Sequence, residues 1–393
     1  MPGARPRQGL HPLQSGNYGG DFMNVQAGEK HLIHILFKRW WPLLLAPVSF
    51  LLVFIARSAP GLVERYYSTG FYPVMENLFG TLVSLLPFSL AEFFICTAIV
   101  LLPTFLLLAV FRKIQIPWRR LPGWGLKLAC CVLFAFVLLC GLNYYRPEFT
   151  TFSGLAVRDS SSEELSALCS ELIQRANELR NDVRLDETGV MMLSQNSRAT
   201  AIIARDSFAR LAEDYAVLPN MNITPKPLVN SWWMSMMQLT GVFTPYTFEA
   251  NVNVACPDYS IPATMCHELA HTRGFMREDE ANFIGYLACE RSDSPDFRYS
   301  GVMLALIHSL NRLASDDWEL FTQVNDLLSD GVRQDFQYNN AYWARYEGPV
   351  AKVSDAVNNA YLQVNAQSDG VQSYGRMVDL LLADYRARHT LSI

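Results

Sequence analysis

Residues 260–282 read S-I-P-A-T-M-C-H-E-L-A-H-T-R-G-F-M-R-E-D-E-A-N. The spacing predicts a helix from Ser260 to Arg273. Pro262 stands near its start, where proline is favoured, and Gly274 follows its end, where a left-handed residue stops a helix. Residues four apart share a helix face, so His267 and His271 present two imidazoles to one point. Glu268, one residue along, can reach a water held at an open coordination position. Met265, Cys266, Leu269 and Ala270 are uncharged, as a buried catalytic helix requires. The pattern points to a zinc ion (Zn2+), which takes neutral imidazole and carboxylate ligands and leaves a place for water. Metal-bound water ionises near neutrality, and Glu268 then serves as general base, passing the proton to a leaving amine. The competing reading of the two histidines is a structural or solvated pair.

A catalytic zinc needs a third protein ligand. A second helix is expected from Glu278 to Glu290, and its first turn offers Glu278 and Glu280. Glu278 is preferred, with Glu280 as the alternative. Asn282 follows Glu278 by one turn and is placed to hydrogen-bond a ligand histidine. Whichever glutamate is not a ligand is expected to favour the helix N-terminus by its charge.

The stretch from Val242 to Val254 is rich in β-branched and aromatic residues and reads as one or two strands. It is a candidate substrate edge, since extended peptides add to exposed strands. Glu249 and Asn251 would share one face of it. A donor for the developing oxyanion is also expected. Tyr299, His308, Tyr342, Tyr374 and Arg376 are candidates, with a preference for Tyr374 and Arg376 as catalytic residues.

Further out, half of the 393 residues are hydrophobic and only 18% are charged, which is oily for a soluble chain. The net charge of −5 excludes the basic footprint of a nucleic-acid binder. None of the 8 cysteines forms C-x-x-C, which argues against a cysteine zinc ribbon or a thioredoxin-type site. Cys96, Cys130, Cys131 and Cys140 sit in apolar runs as small hydrophobes. Pairing among Cys169, Cys256, Cys266 and Cys289 is not legible in the sequence.

Three apolar runs, Trp40 to Ala56, Phe93 to Phe111 and Leu126 to Leu142, are long enough to be spanning helices. The first lacks a cleavage site and reads as a retained anchor. Cations crowd the N-terminal tail (Arg5, Arg7, Lys30, Lys38, Arg39) and the second loop (Arg112, Lys113, Arg119, Arg120). The first loop has only Arg57 and Arg65, offset by Glu64, Glu76 and Glu92. This places the N-terminus in the cytoplasm and everything after Tyr145 outside it. Arg57 to Ala91, broken by Pro60, Pro73 and Pro87, reads as an external loop with a short helix on the membrane surface.

The expected organisation is therefore a cytoplasmic tail at 1–39, partly disordered, a membrane domain with three transmembrane helices at 40–145, and an extracytoplasmic domain at 146–393. In that last domain helices are expected at Ser160 to Val183, Ser194 to Tyr215, Asn230 to Leu239, Tyr299 to Ala314, Trp318 to Leu328, Val350 to Asn365 and Tyr374 to Arg388. The fold class is mainly α: three transmembrane helices, then an α+β domain.

The segment H-E-L-A-H-T-R-G-F-M-R-E-D-E-A-N-F-I-G-Y-L-A-C resembles a bacterial membrane family catalogued as domain of unknown function 3810. Asn143 to Pro147, Phe243 to Asn253 and Asn359 to Leu382 resemble it too. The resemblance implies an HExxH zincin-like fold behind three N-terminal spans. Glu278 to Asn282 looks like the third-ligand element of gluzincin-type metallopeptidases, which implies Glu278. Only six residues separate His271 from Glu278, a shorter link than most gluzincins have. Metzincins have a similar spacing, but Arg277 stands where their last ligand would be. The expected activity is zinc-dependent hydrolysis of peptide bonds at the cell membrane, in a multi-pass protein whose partners are the bilayer and a peptide or protein substrate. A zinc amidase acting on cell-wall peptides and a non-catalytic zinc-containing sensor or scaffold are the alternatives.

Overall fold

Long apolar runs leave the backbone no partner but itself in lipid, so they fold as helices. The computed structural model describes residues 40–111, 113–114, 116–365, 367 and 376–390. The tail at 1–39 and Tyr374 lie outside the described residues. A 3₁₀ turn at Trp41–Leu44 leads into α1 (Leu45–Ser58). A helical connection, Pro60–Leu62 followed by a π-helix at Val63–Phe71, runs into α2 (Tyr72–Ser84). Next come α3 (Leu90–Val110) and α4 (Leu121–Leu139). Trp41–Ser58, α3 and α4 are each long and apolar enough to cross a membrane. None of the side chains of α3 is buried, as a helix solvated by lipid requires.

The connection between α1 and α3 corrects the sequence reading. It is helical over most of its length rather than a loop with a short surface helix. Glu64 and Glu76, the charges that argued for exposure, are both covered by protein. The Glu64 carboxylate accepts from Arg146 Nε at 3.0 Å and Nη2 at 2.8 Å, and Glu76 is fully buried. Gly80 lets α2 come close: a Cβ there would stand 2.7 Å from Ile223 Cδ1.

By contact the described chain forms two units. The smaller joins the residues up to Ser49 with Pro117–Phe134; within it Lys127 Nζ lies 4.5 Å over the Trp40 ring. The larger holds Phe50–Ile116 and everything from Ala135.

In the larger unit α5 (Ser162–Leu179) is capped by Ser161, which accepts from Glu164 N. Its Leu165, Leu168, Cys169, Leu172 and Ala176 are buried, as their spacing predicts. α6 (Ser197–Asp214) is capped by Asn196. A small sheet follows: β1 (Lys226–Pro227), then α7 (Ser231–Met236), β2 (Gly241–Thr244) and β3 (Glu249–Val252). The strand order is β1-β3-β2, with β1 parallel and β2 antiparallel to β3. The helices α8 (Ile261–Thr272), α9 (Glu278–Glu290) and α10 (Pro295–Asp316) form the core, all rich in buried side chains. α11 (Trp318–Asn325), α12 (Asp330–Ala344), α13 (Pro349–Val364) and α14 (Met377–Thr390) complete the chain. α12 was not anticipated from the sequence.

Candidate metal centre

Pro262 fits the first turn of α8, where a missing N–H costs nothing. Gly274, at φ 82°, turns the chain out of the helix. A Cβ on Gly274 would also crowd Asn143 Oδ1 at 3.0 Å. α9 then packs tightly on α8, because Gly285 lies against the His267 backbone: a Cβ there would be 3.0 Å from His267 N. The carbonyls at the end of α8 have no partners within the helix. Tyr72 OH donates to His271 O at 3.2 Å, and Arg146 Nη1 donates to Arg273 O at 3.1 Å. Both donors come from segments that adjoin the apolar helices, and the Arg146 charge also suits a helix C-terminus.

The Nε2 atoms of His267 and His271 are 3.1 Å apart. Glu278 Oε2 lies 3.2 Å from His267 Nε2, and Oε1 lies 3.8 Å from His271 Nε2. One ligand atom from each of the three residues falls within 4.8 Å of the others. The far side of each ring decides what this cluster suits. His271 Nδ1 faces the Phe275 carbonyl at 2.8 Å, which can only accept, so that nitrogen carries the hydrogen. His267 Nδ1 faces Asn282 Oδ1 at 2.8 Å in the same way. Both Nε2 atoms then point at each other and at the Glu278 carboxylate, so the point between them suits a cation, either a proton on His267 or a metal ion. Such a convergence is repulsive until a cation lies at its centre. The residues present therefore fit a metal ion.

Glu278, not Glu280, is the glutamate at the histidines. Glu280 accepts from Phe149 N at 2.7 Å and from Arg277 Nη2 at 2.9 Å, so its carboxylate is already taken. Burial works against a charge on His267, but the bonded Glu278 carboxylate outweighs it and lifts the imidazole to about 9. Burial takes His271 down to about 4. Burial raises Glu268 to about 8, and the charge of an ion held by His267, His271 and Glu278 would act in the opposite direction and favour the carboxylate.

Glu268 is 3% exposed, and its Oε2 has no hydrogen-bond partner among the described residues. Its carboxylate rests against Gly241 at the start of β2, where a Cβ would be 2.3 Å from Oε1. The side chains of His267, Glu268, His271 and Glu278 all line one cleft of about 1360 Å³.

Within the stretch expected as the substrate edge, Val242 to Val254, Glu249 and Asn251 do not lie at the edge. β3 is the central strand, and Glu249 is used elsewhere: its carboxylate accepts from Leu90 N at 2.7 Å and Ala91 N at 2.8 Å, at the start of α3. Asn251 Nδ2 donates to Thr244 Oγ1 at 3.0 Å. The edge strand at the cleft is β2, from Gly241 to Thr244. The oxyanion candidates are also scattered. Tyr299 OH donates to Asp335 Oδ2 at 2.6 Å, and Tyr342 OH lies 2.6 Å from Ser235 Oγ, both away from the cleft. His308 lies outside the cleft lining, and burial takes it down to about 4. Arg376 Nε pairs with Asp279 Oδ2 at 3.3 Å and does not line the cleft. Tyr374 is outside the described residues.

Among the hydroxyl residues that do line it is a pair missed in the sequence: Tyr144 OH donates to Tyr361 OH at 3.0 Å. Burial, with Cys140 and Glu278 near, keeps the Tyr361 phenol protonated. Both tyrosines fall in stretches quoted above for the family resemblance, but nothing in their spacing ties them to the histidines.

A family model described as protein of unknown function (DUF3810) matches residues 67–382. The chain belongs to this family. No curated protein and no solved structure matches it. The DUF3810 region begins inside the π-helix, so α2, α3, α4 and the helical domain fall within one family unit.

Proposed function

We propose that this DUF3810 protein is a membrane-anchored, zinc-dependent metallopeptidase of gluzincin-like, zincin-like type, with its catalytic half outside the cytoplasm. One observation carries the reading: three lone-pair donors, His267, His271 and Glu278, converge beside an unpartnered glutamate oxygen in a cleft. His267, His271 and Glu278 would hold the ion, and this donor set leaves a fourth position open. When bound, zinc supplies acidified water and polarises the scissile carbonyl. Asn282 and the Phe275 carbonyl fix the two rings through Nδ1. Glu268 takes the proton from the attacking water at its carboxylate and returns it to the leaving amine. Tyr361, whose hydroxyl oxygen accepts from Tyr144, offers its own O–H to a substrate carbonyl. The exposed edge of β2 offers main-chain groups to an extended peptide, which favours a polypeptide substrate. The cation distribution of the loops supports the extracytoplasmic placement.

The test is metal content of the purified full chain beside His267→Ala, followed by hydrolysis of an unfolded protein. The expected result is about one zinc per parent chain and little in the variant, since the variant loses one of three ligands. Glu268→Gln should keep the zinc and the melting temperature but lose turnover by about 10²- to 10⁴-fold. Turnover unchanged in Glu268→Gln, or a folded parent that takes up no zinc, overturns the proposal.

A further inference from the structure

Among the described residues after 146, the two most exposed large apolar side chains are Val229 and Val364, each 81% exposed. Each belongs to a small apolar group on a segment in contact with the end of an apolar helix. Val364 ends a stripe on α13 made with Val350, Val353 and Val357, all exposed, and with Tyr361, whose hydroxyl end is buried at the cleft. Those positions are spaced three and four apart and so share one helix face. The buried residues of α13, Ala351 and Leu362, lie on another. The Tyr361 ring meets Phe136, in the last turn of α4, edge-on at 6.1 Å. Val229 is followed by the exposed Trp232 at the start of α7. There the Glu92 carboxylate, in the first turn of α3, accepts from Val229 N at 3.1 Å and Asn230 N at 2.6 Å.

α3 begins where one group docks, and α4 ends where the other docks. Consecutive spans run in opposite directions, so these two ends share one membrane surface. An exposed apolar helix face and a tryptophan at that level match what the lipid interface solvates. We propose that α13 and the Val229–Trp232 turn lie in the interfacial layer of the bilayer. Val350, Val353 and Val357 also line the cleft, so its lip meets the lipid. Resting on the peptidase reading, the preferred substrate is then an apolar polypeptide segment leaving or lying on the membrane, cleaved faster than a freely soluble one.

The test uses the full chain in nanodiscs whose lipids carry bromine on the acyl chains, with unbrominated nanodiscs as reference. Tryptophan is added singly by Val364→Trp, Val229→Trp and Lys352→Trp; Lys352 is exposed on a different face of α13. The fluorescence added at 364 and 229 should be quenched well beyond that added at 352. Equal, weak quenching at all three overturns the lipid contact and does not depend on any activity. In a second arm, the double variant Val229→Asp with Val364→Asp, neither of which lines the cleft, should slow cleavage of a bilayer-inserted peptide several-fold. It should leave cleavage of a denatured soluble protein unchanged. Equal slowing of both substrates overturns membrane loading. A parent that cleaves neither substrate sinks the peptidase reading, and the quenching result still decides the lipid contact.

Discussion

In the proposed metal centre, atoms beside His267, His271 and Glu278 matter as much as those three residues do. Asn282 holds the His267 ring from behind at 2.8 Å. Asn282→Ala should therefore weaken metal binding by about 10- to 100-fold, read by competition with a chelator; unchanged affinity would remove Asn282 from the site. Gly241 sets the position of Glu268 by having no side chain. Gly241→Ala puts a carbon within 2.3 Å of Glu268 Oε1 and 2.8 Å of its Cδ. The expected outcome is normal zinc content with turnover lower by about 10²-fold, because a displacement of an ångström in a catalytic group is that costly. His267, Glu268 and His271 were legible in the sequence because a four-residue spacing on a helix needs no tertiary information. Glu278 and Glu280 were not separable that way. What separates them is Arg277 and the Phe149 amide, which claim Glu280. Tyr144 and Tyr361 are 217 positions apart, and only the fold brings them together.

Among the elements, those with a plain apolar period were readable and those held by polar contacts were not. α5 shows its buried face in the spacing of Leu165, Leu168 and Leu172. α12 shows little, because its buried residues are Val332, Asp335 and Tyr342. Asp335 is what fixes it: the carboxylate accepts from Arg180 Nε at 2.7 Å, from Tyr299 OH at 2.6 Å and from Met191 N at 2.9 Å. Asp335→Ala leaves the buried Arg180 guanidinium unpaired and should cost about 3–5 kcal/mol. A lowered unfolding midpoint in detergent, with zinc content intact below it, is the expected reading. A midpoint within a degree of the parent would show that α12 is held some other way. The connection between α1 and α3 was misread for the same reason. Its glutamates looked like surface charges, whereas Arg146 covers Glu64 and the domain covers Glu76.

For the whole molecule, the buried Glu76 makes stability depend on pH. Burial holds its carboxyl up at about 8 against an ordinary value of 4.5, although the Arg273 charge pulls the other way. A carboxyl raised in the folded state favours folding at low pH, and that contribution is lost as pH climbs from 4.5 through 8. Glu76→Gln should flatten this part of the stability–pH curve and leave the variant more stable than the parent at pH 9. Parallel curves for the two chains would rule the effect out. The three apolar helices were plain from length and composition, but the docking of the domain on their ends was not. Contacts such as Leu90 N to Glu249 span 159 positions, beyond any local pattern. That same contact sets an order of events during synthesis. The ribosome makes α3 long before it has made Glu249. Until then the amides of Leu90 and Ala91, at the start of the helix, must take their hydrogen bonds from water. The start of α3 therefore has to stay in contact with water while the nascent chain is still growing, and it is sealed only when the finished sheet delivers the Glu249 carboxylate to it.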